Sequence, residues 1–106
     1  YGDIPIYITE NGHGGYDVAD ENGWVEDDDR IQFLHDFLEQ ILKAKAEGVN
    51  VMGYYVWSTM DLYSWINGYK KRYGLVRVDY HDPQRKRTPK KSYFWYKQFI
   101  AEHQDL

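Results

Sequence analysis

Pro5-Ile6-Tyr7-Ile8-Thr9-Glu10-Asn11-Gly12 opens as a short apolar, β-branched run and closes on a carboxylate, an amide and a glycine. Residues 5–9 predict a buried strand. A second run of the same kind, Val49 to Trp57 (VNVMGYYVW), predicts another. Between them Glu10 to Glu26 is rich in Gly, Asn and Asp and reads as a loop. Asp27, Asp28 and Asp29 then put negative charge where a helix N-terminus favours it. Ile31, Leu34, Leu38, Ile41 and Leu42 follow at helical spacing, and Gly48 stops the helix. Working outward, Ser58 to Arg72 is a loop, Tyr73 to Tyr80 is strand-like, Pro83 and Pro89 bracket a hairpin or loop, and Lys91 to His103 predicts a closing helix. Strand, helix, strand and final helix make a βαβα unit of the α/β class with a parallel strand pair.

Strands apolar on both faces need helices and further strands around them. Two such strands leave open edges, and an open apolar edge is an association site. The 106 residues are therefore expected to be a single incomplete domain that joins a larger α/β assembly or copies of itself. Composition narrows the class. Hydrophobic residues make up 42% and charged residues 28%, which argues against wholesale disorder. The absence of cysteine excludes disulfides, thiolate zinc sites and a cysteine nucleophile. No apolar run approaches the ~20 residues of a membrane span, and the first residues do not resemble a signal peptide, so a soluble, cytoplasmic chain is expected. Aromatic residues are abundant at 18%, although the mean hydropathy is -0.78.

The net charge of -4 conceals an asymmetry: 12 of the 17 acids lie between Asp3 and Glu47, and 9 of the 13 Lys and Arg lie between Lys70 and Lys91. A pI near 5.5 argues against a nucleic-acid module. Arg85 to Lys91 reads as a solvated loop and helix start, whereas Lys70-Lys71-Arg72 sits among aromatics. His13, His35, His81 and His103 have no ligand-like spacing, so no metal or other cofactor is expected.

Parallel α/β folds gather ligand chemistry at the carboxyl ends of their strands. Glu10 stands at one such end, with Gly12 expected to turn the chain away through its conformational freedom. A capping or loop-bracing carboxylate is the plainer alternative. The repeat of the tripeptide at Glu21-Asn22-Gly23 has no strand ahead of it and reads as a solvated turn. At the second strand end, Trp57-Ser58 leads into Met60-Asp61-Leu62-Tyr63-Ser64-Trp65-Ile66-Asn67-Gly68-Tyr69-Lys70-Lys71-Arg72-Tyr73. Indoles beside convergent hydrogen-bonding groups suit a sugar, whose apolar face stacks while its hydroxyls are bonded. Either tryptophan alone would read as core.

These stretches, with Lys90-Lys91-Ser92 and Trp95-Tyr96-Lys97 after them, resemble glycoside hydrolase family 1 over essentially the whole chain. The resemblance implies the last quarter of a (β/α)8 TIM barrel, strands 7–8 with their helices. It implies that Glu10 is the nucleophile of a retaining β-glycosidase, attacking the anomeric carbon to form a glycosyl-enzyme. Trp57 and Trp65 match glycone-lining tryptophans, and Trp57-Ser58 matches a position that often carries a cis peptide.

One departure from the family pattern bears on substrate. Members acting on free sugars usually carry Glu where this chain has Ser64. Ser64, Lys71 and Tyr73 resemble the phosphate-binding trio of the 6-phospho-β-glycosidase branch, three donors suited to a phosphate dianion. Trp65 is more similar to the 6-phospho-β-galactosidases than to dedicated 6-phospho-β-glucosidases. The family's Asn-Glu-Pro motif, which supplies the acid/base carboxyl roughly 5 to 5.5 Å from the nucleophile, is missing, so the chain alone is expected to be inactive. The alternatives are a fragment of an ordinary β-glucosidase or β-galactosidase, and a non-catalytic, self-assembling sugar-binding piece. Expected partners are a β-glycoside, 6-phosphorylated in the leading reading, and the remainder of the barrel or further copies; nucleic acid and membrane are not expected.

Overall fold

In the computed structural model, residues 2–104 are described. Strand β1 (Ile6–Asn11), helix α1 (Asp28–Ala46) and strand β2 (Val51–Val56) form the expected unit, with β1 and β2 parallel. A small antiparallel hairpin of β3 (Val76–Val78) and β4 (Arg87–Pro89) follows, and helix α2 (Lys91–Glu102) closes the chain. The expected strand over Tyr73–Tyr80 shrinks to three residues, because Tyr73 and Gly74 are held by loop contacts rather than by a ladder. Pro89 pairs with Val76 at the end of the hairpin, where its missing N–H costs least.

Helix α1 carries Asp28 and Asp29 in its first turn and Lys43 and Lys45 in its last, both favourable to the helix dipole. Gly48, at φ 100°, ends it in the left-handed region that glycine enters freely. Asp27 occupies the N-cap but makes no side-chain cap bond. Its carboxylate is buried and instead accepts from Arg30 Nη1 and from the Ser92 amide and hydroxyl. That is a correction to its expected role as plain capping charge.

Leu34 and Leu38 of α1 meet Leu75 in a small core, with Phe33, Ile41, Tyr54, Val56, Trp95, Tyr96 and Phe99 packed around it. Among the described residues, one face of the β1–β2 sheet is covered in this way. Tyr7, Tyr55 and Trp57 are exposed, as are Phe37 and Ile100 on the helices. The Cα radius of gyration, 15.5 Å, exceeds the roughly 13 Å of a globule this long. The molecule is a slab with apolar flanks, in keeping with strands whose two faces both call for partners.

Candidate active site

The carboxyl ends of β1 and β2 lie side by side, and an irregular ladder sets their relationship. Ile6 faces Val51, Tyr7 faces Gly53, Ile8 faces Tyr54, and Asn11 faces Val56. One extra residue is accommodated on β2 near Met52 and one on β1 between Ile8 and Asn11, so the two bulges offset each other. Beyond the ladder the Trp57 N–H donates to the Asn11 carbonyl at 2.8 Å. Tyr54 Oη donates to Asn11 Oδ1, also at 2.8 Å. Burial, and secondarily Tyr96, pushes the Tyr54 phenol up to about 12, so it stays a neutral donor at any ordinary pH.

Gly12 does not take a left-handed conformation. A Cβ there would instead fall on the Trp57 carbonyl, so glycine serves close backbone approach. Glu10 is exposed beside this junction, and the Trp57–Ser58 peptide is cis.

The loops after β1 and β2 are stitched together. Gly15 and Arg72 exchange backbone hydrogen bonds at 2.8 Å each, and the Ser58 N–H donates to the Tyr73 carbonyl at 3.0 Å. A Cβ at Gly14 would strike the Tyr73 ring. Glu10, Trp57 and Tyr73 are thus carried by adjoining backbone at one end of the sheet. Ser64 and Trp65 sit on a projecting turn closed by reciprocal Ser64–Gly68 backbone bonds. Ser64 Oγ accepts from the Ile66 and Asn67 amides at 3.2 Å, and Asn67 Nδ2 donates to Tyr73 Oη at 2.6 Å. Asn67 therefore links Ser64 to Tyr73, a role not expected from the sequence. Lys71 is not drawn into that chain: its Nζ lies 5.7 Å from the centroid of the Tyr16 ring. Trp65 is 98% exposed and meets none of the other candidate residues as a wall.

Behind the loops lies an ion network that the sequence did not disclose. Lys90, read as part of a solvated stretch, is fully buried, with Nζ 2.5 Å from Asp17 Oδ2 and 2.7 Å from Asp61 Oδ1. Arg30 Nη1 pairs with Asp27 at 2.5 Å and with Asp17 at 3.1 Å, and Arg30 Nη2 donates to the Arg72 carbonyl at 2.7 Å. Asp61 also accepts from Arg72 Nη1 at 2.6 Å and from the Gly74 and Val78 amides. Burial pushes the Asp61 carboxyl up, but the charges and hydrogen bonds of Lys90 and Arg72 outweigh it and hold the group below the usual carboxylate range. Among the described residues no buried side-chain polar atom lacks a partner, so the network braces both loops without the penalty of an orphaned charge.

The βαβα slab is a piece of an α/β fold with a carboxylate and an indole at adjoining strand ends, and the chain belongs to glycosyl hydrolase family 1, whose family model matches residues 1–105. It is 51% identical over 102 residues to the 6-phospho-beta-galactosidase of Staphylococcus epidermidis, covering 95% of this chain and 21% of that protein. The Aryl-phospho-beta-D-glucosidase BglC of Bacillus subtilis is 47% identical over 100 residues, 92% of this chain and 21% of the relative. Among solved structures, a family 1 b-glucosidase from Thermotoga maritima superposes with a TM-score of 0.85 at 44% identity, over 92% of this chain and 21% of that one. The chain spans about a fifth of these relatives' length, a sector of the family's barrel and slightly less than the expected quarter.

Proposed function

We propose that the chain is the sector of a retaining β-glycosidase that carries the nucleophile, formed by strands 7 and 8 of the barrel and their helices. The supporting observation is the placement of Glu10, exposed near the end of β1, one residue before Asn11, whose carbonyl accepts from the Trp57 N–H, and two before Gly12, which packs on the Trp57 carbonyl. A Glu10 oxygen attacks the anomeric carbon while the bond to the aglycone oxygen breaks, and water later releases the sugar from the ester. The acid that protonates the leaving oxygen comes from the other four-fifths of the barrel, so the 106 residues alone do not turn over. Trp57 stacks against the glycone, and Trp65 joins it.

The substrate class is a 6-phospho-β-glycoside, galactosides ahead of glucosides. The neutral chain Ser64–Asn67–Tyr73 supports this reading, since it offers hydroxyl and amide groups and no carboxylate to a dianion. The phosphate-directed names of the two bacterial relatives point the same way. Lys71 completes the set by swinging from the Tyr16 ring. A free-sugar β-glucosidase is the second reading, favoured by that same position of Lys71, which leaves the trio unassembled. The deciding experiment joins residues 1–106 to the preceding four-fifths of the Staphylococcus epidermidis relative and compares phosphorylated with free chromogenic substrates. Ser64→Glu is expected to depress phospho-substrate turnover at least tenfold; undiminished turnover would exclude the phosphate assignment.

A further inference from the structure

We infer that the Tyr54–Asn11 hydrogen bond is the positioning device that keeps Glu10 out of the helix layer and aimed at the site. The inference rests on the reading of Glu10 as nucleophile and goes beyond it.

Side chains alternate along a strand with period two. Ile6 and Ile8 line the groove between the sheet and α1, together with Phe37, Ile41 and Tyr54. Uninterrupted alternation would place Glu10 third in that row, under α1 and against apolar side chains. The bulge between Ile8 and Asn11 inserts one residue, and Asn11 takes the third place in the groove instead. Glu10 is thereby freed to the exposed end of the strand. A one-residue slip exchanges the two faces, so whatever holds Asn11 in register determines where Glu10 points.

Two hydrogen bonds hold it. The Trp57 amide fixes the Asn11 carbonyl, and the Tyr54 hydroxyl fixes its side chain, both at 2.8 Å. Tyr54 is itself anchored by packing against the Leu34–Leu38–Leu75 core. The bond thus ties the bulge to the buried core of the sector. Tyr54 and Asn11 touch no reacting atom; they act through the backbone of the residue after Glu10. The cost of burying a carboxylate under α1 opposes a complete slip, so losing the bond loosens the aim of Glu10 rather than reversing it.

The test uses the joined barrel described above, with a chromogenic 6-phospho-β-galactoside. Tyr54→Phe and Asn11→Ala are each expected to lower kcat about tenfold, the scale of one net hydrogen bond, with KM within about twofold. The double variant is expected to lose no more than either single, because both remove one bond. Exchange of the Trp57 amide, read at residue resolution, is expected to quicken in each variant, and it can be read whether or not the joined barrel turns over. Unchanged kcat with unchanged Trp57 exchange, or independent losses that multiply, would overturn the inference. Glu10→Gln in the same barrel separates the two readings. Retained turnover there refutes the nucleophile itself. An inactive Glu10→Gln beside a fully active Tyr54→Phe refutes only the positioning role.

Discussion

Lys90 and Asp61 meet as an ion pair at 2.7 Å with neither side chain exposed to solvent. Lys90 stands just before α2 and Asp61 in the loop after β2, so one contact ties the closing helix to the loop that carries Ser64 and Tyr73. The same ammonium reaches Asp17 at 2.5 Å, in the loop after β1. Lys90→Met takes the shared ammonium from two buried carboxylates, leaving Asp61 with Arg72 and Asp17 with Arg30, and is expected to cost about 3 kcal/mol of stability. Combining it with Asp61→Asn should recover part of that loss, read by urea denaturation of single and double variants. A Lys90→Met chain as stable as the parent would mean the network does not brace the fold.

Acid should dissolve this brace in a defined window. Because the folded pKa of Asp61 is depressed, its contribution is fully present above the unfolded carboxylate value and fades as pH falls through the folded one. Stability is expected to hold from neutrality to about pH 4 and to drop below it. Asp61→Asn should shrink that acid-side slope while lowering stability at pH 7, measured by denaturation midpoints across pH.

At high pH the sign reverses. Tyr54 is raised to about 12, so its contribution is intact below the unfolded tyrosine value near 10 and is lost as pH climbs toward the folded one. Burial raises Tyr96 as well. Midpoints should fall between about pH 10 and pH 12, less steeply in Tyr54→Phe.

Three glycines separate two physical demands. At Gly12 an added Cβ meets the Trp57 carbonyl, and at Gly74 it meets the backbone of Met60 and Asp61. Neither neighbour is the free end of a flexible side chain, so Gly12→Ala and Gly74→Ala should each destabilise by about 3 kcal/mol or more. Gly48 faces open space but sits at φ 100°, and Gly48→Ala should cost only about 1–2 kcal/mol. Thermal midpoints of the three variants test that order.

The apolar groove beside β1 and α1, lined by Ile6, Ile8, Phe37, Ile41 and Val51, leaves Ile6 and Phe37 exposed. The isolated chain should self-associate as concentration rises, and Phe37→Lys should reduce this, as seen by sedimentation. A parent chain that stays monomeric at high concentration would show that the flank does not drive association.

The order strand, helix, strand, helix was legible because each element announces itself locally: β-branched runs, apolar positions three and four apart, acids at the head of α1 and Gly48 at its tail. Glu10 and Trp57 were legible as strand-end residues for the same reason. The strand over Tyr73–Tyr80 was not, since Tyr73 and Gly74 are claimed by Ser58 and Asp61 rather than by a ladder. Gly12 was marked as special, but its reason lay in Trp57, far along the chain.

The sequence by itself thus determined the α/β order, the family and the residues at the two strand ends, all carried by periodicity and short motifs. Tertiary structure decided the rest. It buried Lys90 between acids that lie 73 and 29 residues away in sequence. It set Asn67, rather than Lys71, between Ser64 and Tyr73. It also shifted β1 by one residue so that Asn11 and not Glu10 lies under α1. Charge pairing and strand register depend on what lies opposite in space, and no local stretch of the chain carries that information.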